Sequence, residues 1–449
     1  MGKLWEKDWK LDKAVEAFET KGDMEMDQKL AEFDVYCSIA QVKMLNKMGI
    51  LSPSELKTAK KGLLDALSLI KAGKFKLGDG DEDIHTKIEN FITERYGEVG
   101  KKMHTGRSRS DQAVTDVRLY TKRSLLEIWA ELISLAEGFS KFAKKYEFMP
   151  MPGYTHMQKA MLSSVGMWAS AFAESFLDDL VMLKAVYEIN NRSPLGSAAS
   201  YGVPLNLDRE YAAELLGFGG VQKNSLYCHN SRTKIESETI SALAPILMDI
   251  NRFASDVMLF TTSEFNYFSV DKELCSGSSI MPQKKNVDVA ELLRSKIHIA
   301  LGYYIQSASL PSNLVSGYSR EVQEGKRPLF ESMEIATESL KVANILLNGI
   351  TPNEEAMRKG LTPEVFAAQK ALELTVNGEA FRDAYKSVGK DPKGYMPNDM
   401  QSALKKSKHT GGTGNLGLSA YSAQIKSEKG ILGKEVKKYR DSVEKLVNG

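Results

Sequence analysis

Apolar side chains recur at three- and four-residue spacing over a long stretch of this chain, and that regularity limits the folds open to it. The stretch runs from Val114 to Phe142 and carries Leu125, Ile128, Trp129, Leu132, Leu135, Phe139 and Phe142. This spacing places the apolar residues on one face of a single helix of several turns. We therefore expect a long helix that buries one side against other helices.

Further segments have the same helical spacing. They run over residues 161–191, 231–265, 287–310 and 328–347. Pro245 lies inside one of them, where it predicts a kink. No segment shows the strong alternation of apolar and polar residues that is typical of a half-buried strand. Helices of this length predict an all-α fold, with an elongated central bundle of long helices and smaller helical domains at both ends.

A polar loop begins near residue 105, and after about Thr351 the predicted helices become shorter, so we expect domain boundaries near 105 and 350. The prediction is an N-terminal helical domain over 1–105, a central long-helix bundle over 106–350 and a C-terminal helical domain over 351–449. Long helices of this kind carry more apolar surface than one bundle needs, so burial against identical subunits is expected.

The charge balance limits the partners of the chain. Lys and Arg total 60 and Asp and Glu total 58, a net charge of +2. Nucleic-acid and membrane-surface binders need a dominant positive field, so neither class is expected. No apolar run reaches the roughly 18 residues that indicate a membrane span. Cys37, Cys228 and Cys275 form no CxxC pair, which predicts reduced thiols in a cytoplasmic protein.

Polar, Gly-containing loops interrupt the helices in three places: MHTGRSRSD at 103–111, PGYTHMQ at 152–158 and CSGSSIMPQKKN at 275–286. In the third loop a glycine before two serines allows a sharp turn, Pro282 stiffens the chain, and Lys284 and Lys285 supply two cations. A desolvated cationic loop can favour a serine alkoxide or stabilise a neighbouring carbanion. Composition alone favours a surface loop instead.

The full pattern GSSIMPQKKN resembles the signature of the fumarase/aspartase superfamily. Within it, HTGRSRSD at 104–111 is similar to the argininosuccinate lyase motif HTGRSRND, and PGYTHMQ is similar to PGYTHLQ. The segments EDIH at 82–85, SPLGSAA at 193–199 and LDREYAAELLGF at 207–218 agree with the same family. The resemblance extends from about residue 25 to 390 and implies the reversible release of fumarate from argininosuccinate by β-elimination.

The resemblance also implies the catalytic residues. Ser278 would remove a proton from the succinyl carbon, Lys284 and Asn286 would stabilise the resulting dianion, and His156 would donate a proton or activate water. Glu291 would pair with the histidine and raise its basicity. Read alone, a single histidine is more often structural, and Glu291 is an ordinary helix glutamate. No metal or organic cofactor is implied, and the six histidines show no HxxxH pair.

Substrate binding is expected from the same loops and from a segment after residue 310. Two arginines that alternate with a serine can form a bidentate cradle for carboxylates. Read without the resemblance, an arginine-rich turn with salt bridges to its neighbours is about equally expected. The implied substrate-binding residues are Asp27, Thr105, Arg107, Ser108, Arg109, Ser110, Thr155, Gln158, Asn286, Tyr318, Gln323 and Lys326. Departures from the family pattern are Ser110 for Asn, Val287 for Pro, and the acidic segment from Asp23 to Asp27.

The family packs as homotetramers whose active sites take loops from several subunits, and the same assembly is implied here. Adenylosuccinate lyase, or another fumarate-releasing lyase, is the alternative within the same reaction class. A catalytically silent scaffold like the crystallins derived from this family is the alternative of a different class. It would require loss of catalytic groups, and Ser278, His156, Lys284 and Glu291 are all present.

Overall fold

The computed structural model describes residues 11–78 and 81–449. Its N-terminal part consists of four helices that pack against one another, and the first of them also packs against a long helix of the central part. The elements are α1 (Lys13–Lys47), α2 (Pro53–Lys71), α3 (Ile84–Tyr96) and α4 (Val99–Lys102). Ser52 caps α2 through a reciprocal pair of hydrogen bonds with Glu55, and Pro53 occupies the first turn, where its missing N–H costs nothing.

The central part is built from five long helices, which confirms the predicted elongated bundle. Its elements are α5 (Arg109–Lys145), β1 (Pro150–Thr155), β2 (Gln158–Ser164), α6 (Val165–Asn190), α7 (Arg209–Leu215), α8 (Ser225–Asn230), α9 (Lys234–Phe260), β3 (Phe268–Val270), β4 (Ser276–Gly277), β5 (Lys285–Asn286), α10 (Asp288–Ser309) and α11 (Lys326–Asn348). Helix α5 packs against α6 and α11, and α9 packs against α6, α10 and α11.

The C-terminal part has shorter helices and one long final helix. Its elements are β6 (Ile350–Pro352), α12 (Glu354–Gly360), α13 (Ala367–Val376), α14 (Phe381–Lys390), α15 (Met400–Leu404) and α16 (Leu418–Asn448). Helix α16 returns to pack against α5 and α6. The boundaries expected near 105 and 350 lie just before α5 and at β6, and the division into three domains stays a prediction. Within 11–78 and 81–449, no helix combines the length and apolar character needed to cross a membrane.

One sequence prediction about this bundle was wrong in detail. The helix expected from Met161 begins at Val165, because Met161 lies in β2, and the Ser164 side chain accepts a hydrogen bond from the Met167 N–H to start the helix. Within the confirmed all-α fold, the described residues also contain three two-stranded sheets that no sequence pattern predicted, β1–β2, β3–β6 and β4–β5. These strands are two to seven residues long, too short to show an alternating pattern.

An aromatic cluster at one end of the bundle holds α5, α6 and α9 together. The ring of Phe139 lies 5.1 Å from Phe172, 5.7 Å from Phe176 and 5.0 Å from Phe253, measured between centroids. All of these side chains are buried. Such edge-on and tilted pairs add to the free energy gained by burying the rings.

Replacing Phe139 with alanine should therefore destabilise the protein without touching any candidate site residue. We expect a loss of about 3–5 kcal/mol in the free energy of unfolding, the range for removing a buried phenylalanine. Thermal or denaturant unfolding measures the loss. Lys141→Ala, on the exposed side of the same helix, is the matched control and should change stability little. Equal losses for the two variants would contradict the packing described here.

Candidate active site

A cavity of about 520 Å³ opens where α1, α3, α5 and α11 begin or cross. Residues distant in sequence meet in it because each of these helices ends or passes at the same end of the bundle. Its polar lining comprises Glu19, Thr20, Asp23, Asp27, Glu82, Asp83, His85, Ser108, Arg109, Ser110, Arg232, Tyr318, Arg320, Gln323 and Lys326. Seven of the predicted substrate-binding residues are among them: Asp27, Ser108, Arg109, Ser110, Tyr318, Gln323 and Lys326.

Lys326 anchors one wall of the cavity at the first position of α11. Its Nζ lies 2.6 Å from Asp23 Oδ2 and 2.5 Å from Asp27 Oδ1. Burial lowers the pKa of Lys326, but the two carboxylates outweigh it and raise that pKa. Burial raises the pKa of Asp23 against the attraction of Lys326. Lys326 therefore stays protonated, and its ammonium group forms ion pairs with both carboxylates.

The arginines of the first loop take different positions. Arg109 NH1 contacts Asp83 Oδ2 at 2.6 Å and Glu82 Oε1 at 2.9 Å at the cavity wall. Arg107 is buried outside the cavity lining, and its NH1 donates to Ser38 Oγ over 3.1 Å. Thr105 also lies outside the lining, and its hydroxyl donates to a carbonyl of the preceding turn. The two arginines therefore do not form a joint cradle within one chain.

The Ser108 side chain caps α5 and fixes this loop to the helix. It accepts a hydrogen bond from the Ser110 N–H, while the Asp111 carboxylate accepts one from the Ser108 N–H over 2.8 Å. The other Asp111 oxygen accepts from the N–H groups of Gly196 and Ala198, each over 3.0 Å. The sequence SRSD thus builds a helix start and holds the neighbouring loop beside the cavity.

Sequence reasoning missed several cavity residues. His85 and Arg232 are buried at the cavity, and Arg320 pairs with Glu19 over 3.1 Å. Arg232 lies 5.4 Å from the Tyr318 ring centre and forms no salt bridge within the part of the chain that the structure describes. His85 could have been found, because it ends the matched EDIH segment. Arg232 stands in no recognised motif and only the fold brings it here.

The second loop is the turn of a β-hairpin, whereas the sequence suggested a loop leading straight into a helix. Strands β1 and β2 pair from Pro150↔Ser164 to Thr155↔Gln158, which leaves two residues at the tip. Those residues, His156 and Met157, have φ values of 50° and 60°, the left-handed conformation that tight hairpin turns require. Thr155, His156 and Gln158 are all exposed, so the tip projects its polar side chains away from the subunit.

The third loop, residues 276–286, is here called the serine loop. Strands β4 and β5 pair at its base, with Ser276 opposite Asn286 and Gly277 opposite Lys285. The Ser278 hydroxyl oxygen accepts hydrogen bonds from the N–H groups of Ile280, over 3.3 Å, and Met281, over 3.0 Å. Two N–H donors on one oxygen favour its ionised form. Ser279, Lys284 and Glu291 are exposed.

The hairpin tip and the serine loop lie far from the cavity of the same chain. Helix α5 has 37 residues and runs from Arg109 at the cavity to the residues just before β1, a span of about 55 Å at 1.5 Å per residue. Tyr267, just before β3, bonds the hydroxyl of Tyr154 in the hairpin over 2.9 Å, so the serine loop begins at that same distant end. Thr155, His156, Gln158, Ser278, Lys284, Asn286 and Glu291 do not line the cavity.

Beneath the cavity lies a group that we call the acid–imidazole cluster: Asp34, His85 and Asp116, whose ligand-type atoms all lie within 4.8 Å of one another. His85 Nδ1 hydrogen-bonds Asp34 directly, and Gln112 Nε2 donates to the same carboxylate oxygen over 2.6 Å. Because Asp34 Oδ2 already accepts from His85 and Gln112, we interpret the group as a buried acid–imidazole cluster rather than a metal centre. The expectation that the site needs no metal or organic cofactor stays a prediction.

The amino-acid sequence matches a known protein family over most of its length. A family model described as Lyase matches residues 6–302. Argininosuccinate lyase from Thermotoga neapolitana is 40% identical over 386 residues, which cover 86% of this chain and 97% of that protein. The argininosuccinate lyase of Parabacteroides distasonis is 35% identical and covers 100% of this chain and 99% of its own. The chain belongs to the argininosuccinate lyase family.

Solved structures agree with this family at the level of the fold. An EDDS lyase variant with bound fumarate has a TM-score of 0.80 at 21% identity, covering 98% of this chain and 95% of that one. A class II fumarase from Schistosoma mansoni has a TM-score of 0.70 at 14% identity, covering 86% and 92%. The argininosuccinate lyase family thus shares its long-helix bundle with a wider group of lyases, and the resemblance inferred from the three loops is confirmed.

Proposed function

We propose that this lyase catalyses the reversible β-elimination of argininosuccinate to arginine and fumarate, as a step of arginine biosynthesis. The observation that carries the proposal is identity of 35–40% to argininosuccinate lyases over most of the chain. The cavity chemistry is compatible with it, because argininosuccinate carries both carboxylates and cationic groups. The cavity offers a lysine and arginines beside several acids, so both signs of charge have partners.

The proposed chemistry starts at Ser278. Its alkoxide, held by the N–H groups of Ile280 and Met281, takes the proton from the succinyl carbon next to a carboxylate. The electron pair left on that carbon moves into the carboxylate to give a dianion, which Lys284 and Asn286 stabilise by charge and hydrogen bonding. The pair then forms the double bond of fumarate as the C–N bond breaks.

The leaving guanidine nitrogen needs a proton, and His156 supplies it directly or through a water that it orients. An imidazole can donate a proton here and recover it in the reverse reaction. Glu291 is proposed as the carboxylate that pairs with it. Thr155 and Gln158 at the hairpin tip, together with Thr105 and Arg107 of the first loop, complete the proposed set of substrate contacts.

We also propose that the protein is a cytoplasmic homotetramer with shared active sites. The cavity and the hairpin lie about 55 Å apart along α5, so one chain cannot bring them to one substrate. Large apolar side chains are exposed along the outer faces of α6, α9 and α10: Val181, Met182, Met248, Leu292 and Ile305. Packing these faces against other subunits would bury the apolar surface and carry each hairpin and serine loop to a neighbour's cavity.

A fumarate-release assay with purified protein tests the proposed function. Argininosuccinate should be consumed with turnover on the order of 1 per second or faster, in the range usual for enzymes. The growing ultraviolet absorbance of fumarate reports the reaction, and arginine is measured separately. Release from adenylosuccinate but not argininosuccinate would move the protein to the alternative lyase. No release from either would favour a silent, crystallin-like scaffold.

A further inference from the structure

Two carboxyl groups lie directly under the cavity with no exposed surface. Asp34 on α1 and Asp116 on α5 are both fully buried, and His85 at the start of α3 stands between them and the cavity. Nδ1 of His85 hydrogen-bonds Asp34 and lies 3.6 Å from Asp116 Oδ2. The ring therefore turns one nitrogen inward to the acids. Its other nitrogen, Nε2, is left for the cavity, with no hydrogen bond among the described residues.

The two acids differ in their surroundings. Asp34 accepts from His85 and from Gln112 on one oxygen, while its Oδ1 has no donor. Neither oxygen of Asp116 receives a hydrogen bond from any described donor. A buried ionised carboxylate without donors is strongly unfavourable. A protonated Asp116 carries no charge, and its O–H can be donated to the neighbouring Asp34 carboxylate.

The charges around the cluster agree with this assignment. Burial raises the pKa of Asp116 far above its usual range, and the negative Asp34 raises it further. Burial also opposes ionisation of Asp34, but His85 outweighs it and lowers the pKa of that carboxyl. Burial lowers the pKa of His85, yet Asp34, then Asp83 and Asp27, raise it above 6.5. The charged or titratable groups around the cluster include Cys37, Asp27, Asp83, Glu89, His104 and Arg107.

We propose that Asp34 is a positioning residue that keeps His85 cationic and aims its Nε2–H into the cavity, where it binds an anionic group of the substrate, while Asp116 beside it stays neutral. The part that concerns substrate rests on the proposed function. Asp34 acts through His85 and has no contact with the cavity itself. When Asp34 is lost, Asp116, 3.6 Å from Nδ1, is the one carboxyl group of the described residues still within ion-pair distance of His85, so it should then ionise and replace part of the missing charge.

The first test needs no variant and no substrate. Exchange of the imidazole C2 hydrogen, followed residue by residue by mass spectrometry across a pH series, gives the pKa of each histidine in the assembled protein. We expect the pKa of His85 to lie above 6.5. Burial and two nearby arginines lower the pKa of His104 to about 4, so it serves as the internal comparison. A His85 that titrates below 6.5 would overturn the proposal.

The second test uses substitutions that preserve shape. Asp34→Asn should lower the pKa of His85, and Asp116→Asn alone should leave that pKa raised because one neutral group replaces another. The pKa of His85 should be lower in the double variant, Asp34→Asn with Asp116→Asn, than in Asp34→Asn alone. This non-additive result is expected only if Asp116 ionises when Asp34 is lost. Asp179→Asn, a buried acid on α6 away from the cavity, is the matched control and should not move the pKa of His85.

Kinetics then separate positioning from folding. In the double variant we expect KM for argininosuccinate to rise about 10–100-fold near neutral pH, the loss typical of a hydrogen bond to a charged group, with a much smaller change in kcat. The KM of the unaltered protein should also rise as pH increases through the pKa of His85, since the cation is lost there. A fall in kcat with unchanged KM, or equal His85 pKa values in all variants, would refute the positioning role. If argininosuccinate is not a substrate at all, the proposed function fails while the histidine titrations still decide the role of Asp34.

Discussion

Replacing Ser278 with alanine should lower the turnover of argininosuccinate at least a hundredfold. A general base contributes about 10²–10⁴-fold to rate, and the alanine side chain has no group that can accept the proton. The fold should be unaffected, because among the described residues the Ser278 hydroxyl is bonded only to N–H groups of its own loop. Steady-state kinetics measure kcat, and thermal unfolding and substrate-binding calorimetry establish that structure and binding persist.

Ser279 provides the matched control for this experiment. It is the next residue in the same loop, is exposed, and loses the same hydroxyl in Ser279→Ala. We expect a milder loss of kcat, because its hydroxyl lacks the two N–H donors that favour an alkoxide at Ser278. A larger loss for Ser279→Ala than for Ser278→Ala would mean that the base has been assigned to the wrong serine of the pair.

Two inactive variants, His156→Ala and Ser278→Ala, should restore activity to each other when their subunits are mixed. Each parent tetramer is expected to be nearly inactive. Both side chains project from loops that lie away from the cavity of their own chain, so in the proposed tetramer each serves a site completed by other subunits. After reversible dissociation and reassembly, some sites receive the intact His156 from one parent and the intact Ser278 from the other.

The recovery should be on the order of a quarter of the unaltered activity, because distinct sites in a symmetric assembly sample the two parents independently. Sites that carry both substitutions should be little less active than sites that carry one, because the effects of substitutions within one catalytic unit do not add. Mixing Ser278→Ala with the Ser278→Ala/His156→Ala double variant is the control, and it can form no intact site. Mass spectrometry verifies that mixed assemblies of the two variants have formed. If such assemblies recover no activity, the shared site is refuted.

The hairpin shows why local sequence patterns missed part of the fold. Strand β1 reads PMPGYT, and proline and glycine are unfavourable in strands, so propensity argues against one here. Its register with β2 shifts between Gly153 and Tyr154, and the turn places His156 and Met157 at positive φ, which few residues other than glycine adopt. The bond between Tyr154 and Tyr267 joins this hairpin to a segment more than a hundred residues away. A local pattern carries no information about such a partner.

The sequence by itself determined the long helices, their approximate ends and the family, because apolar spacing, capping residues and motif letters are local properties. Ser108 and Asp111, for example, specify the start of α5 within four residues. Only the tertiary structure decided which polar residues share a cavity. Asp23, Arg232 and Lys326 meet there, and Asp34, His85 and Asp116 stack beneath it, because α1, α3, α5 and α11 come together at one end of the bundle. How helices pack depends on the fit of whole side-chain surfaces, and that fit is a property of pairs of elements that no single stretch of sequence contains.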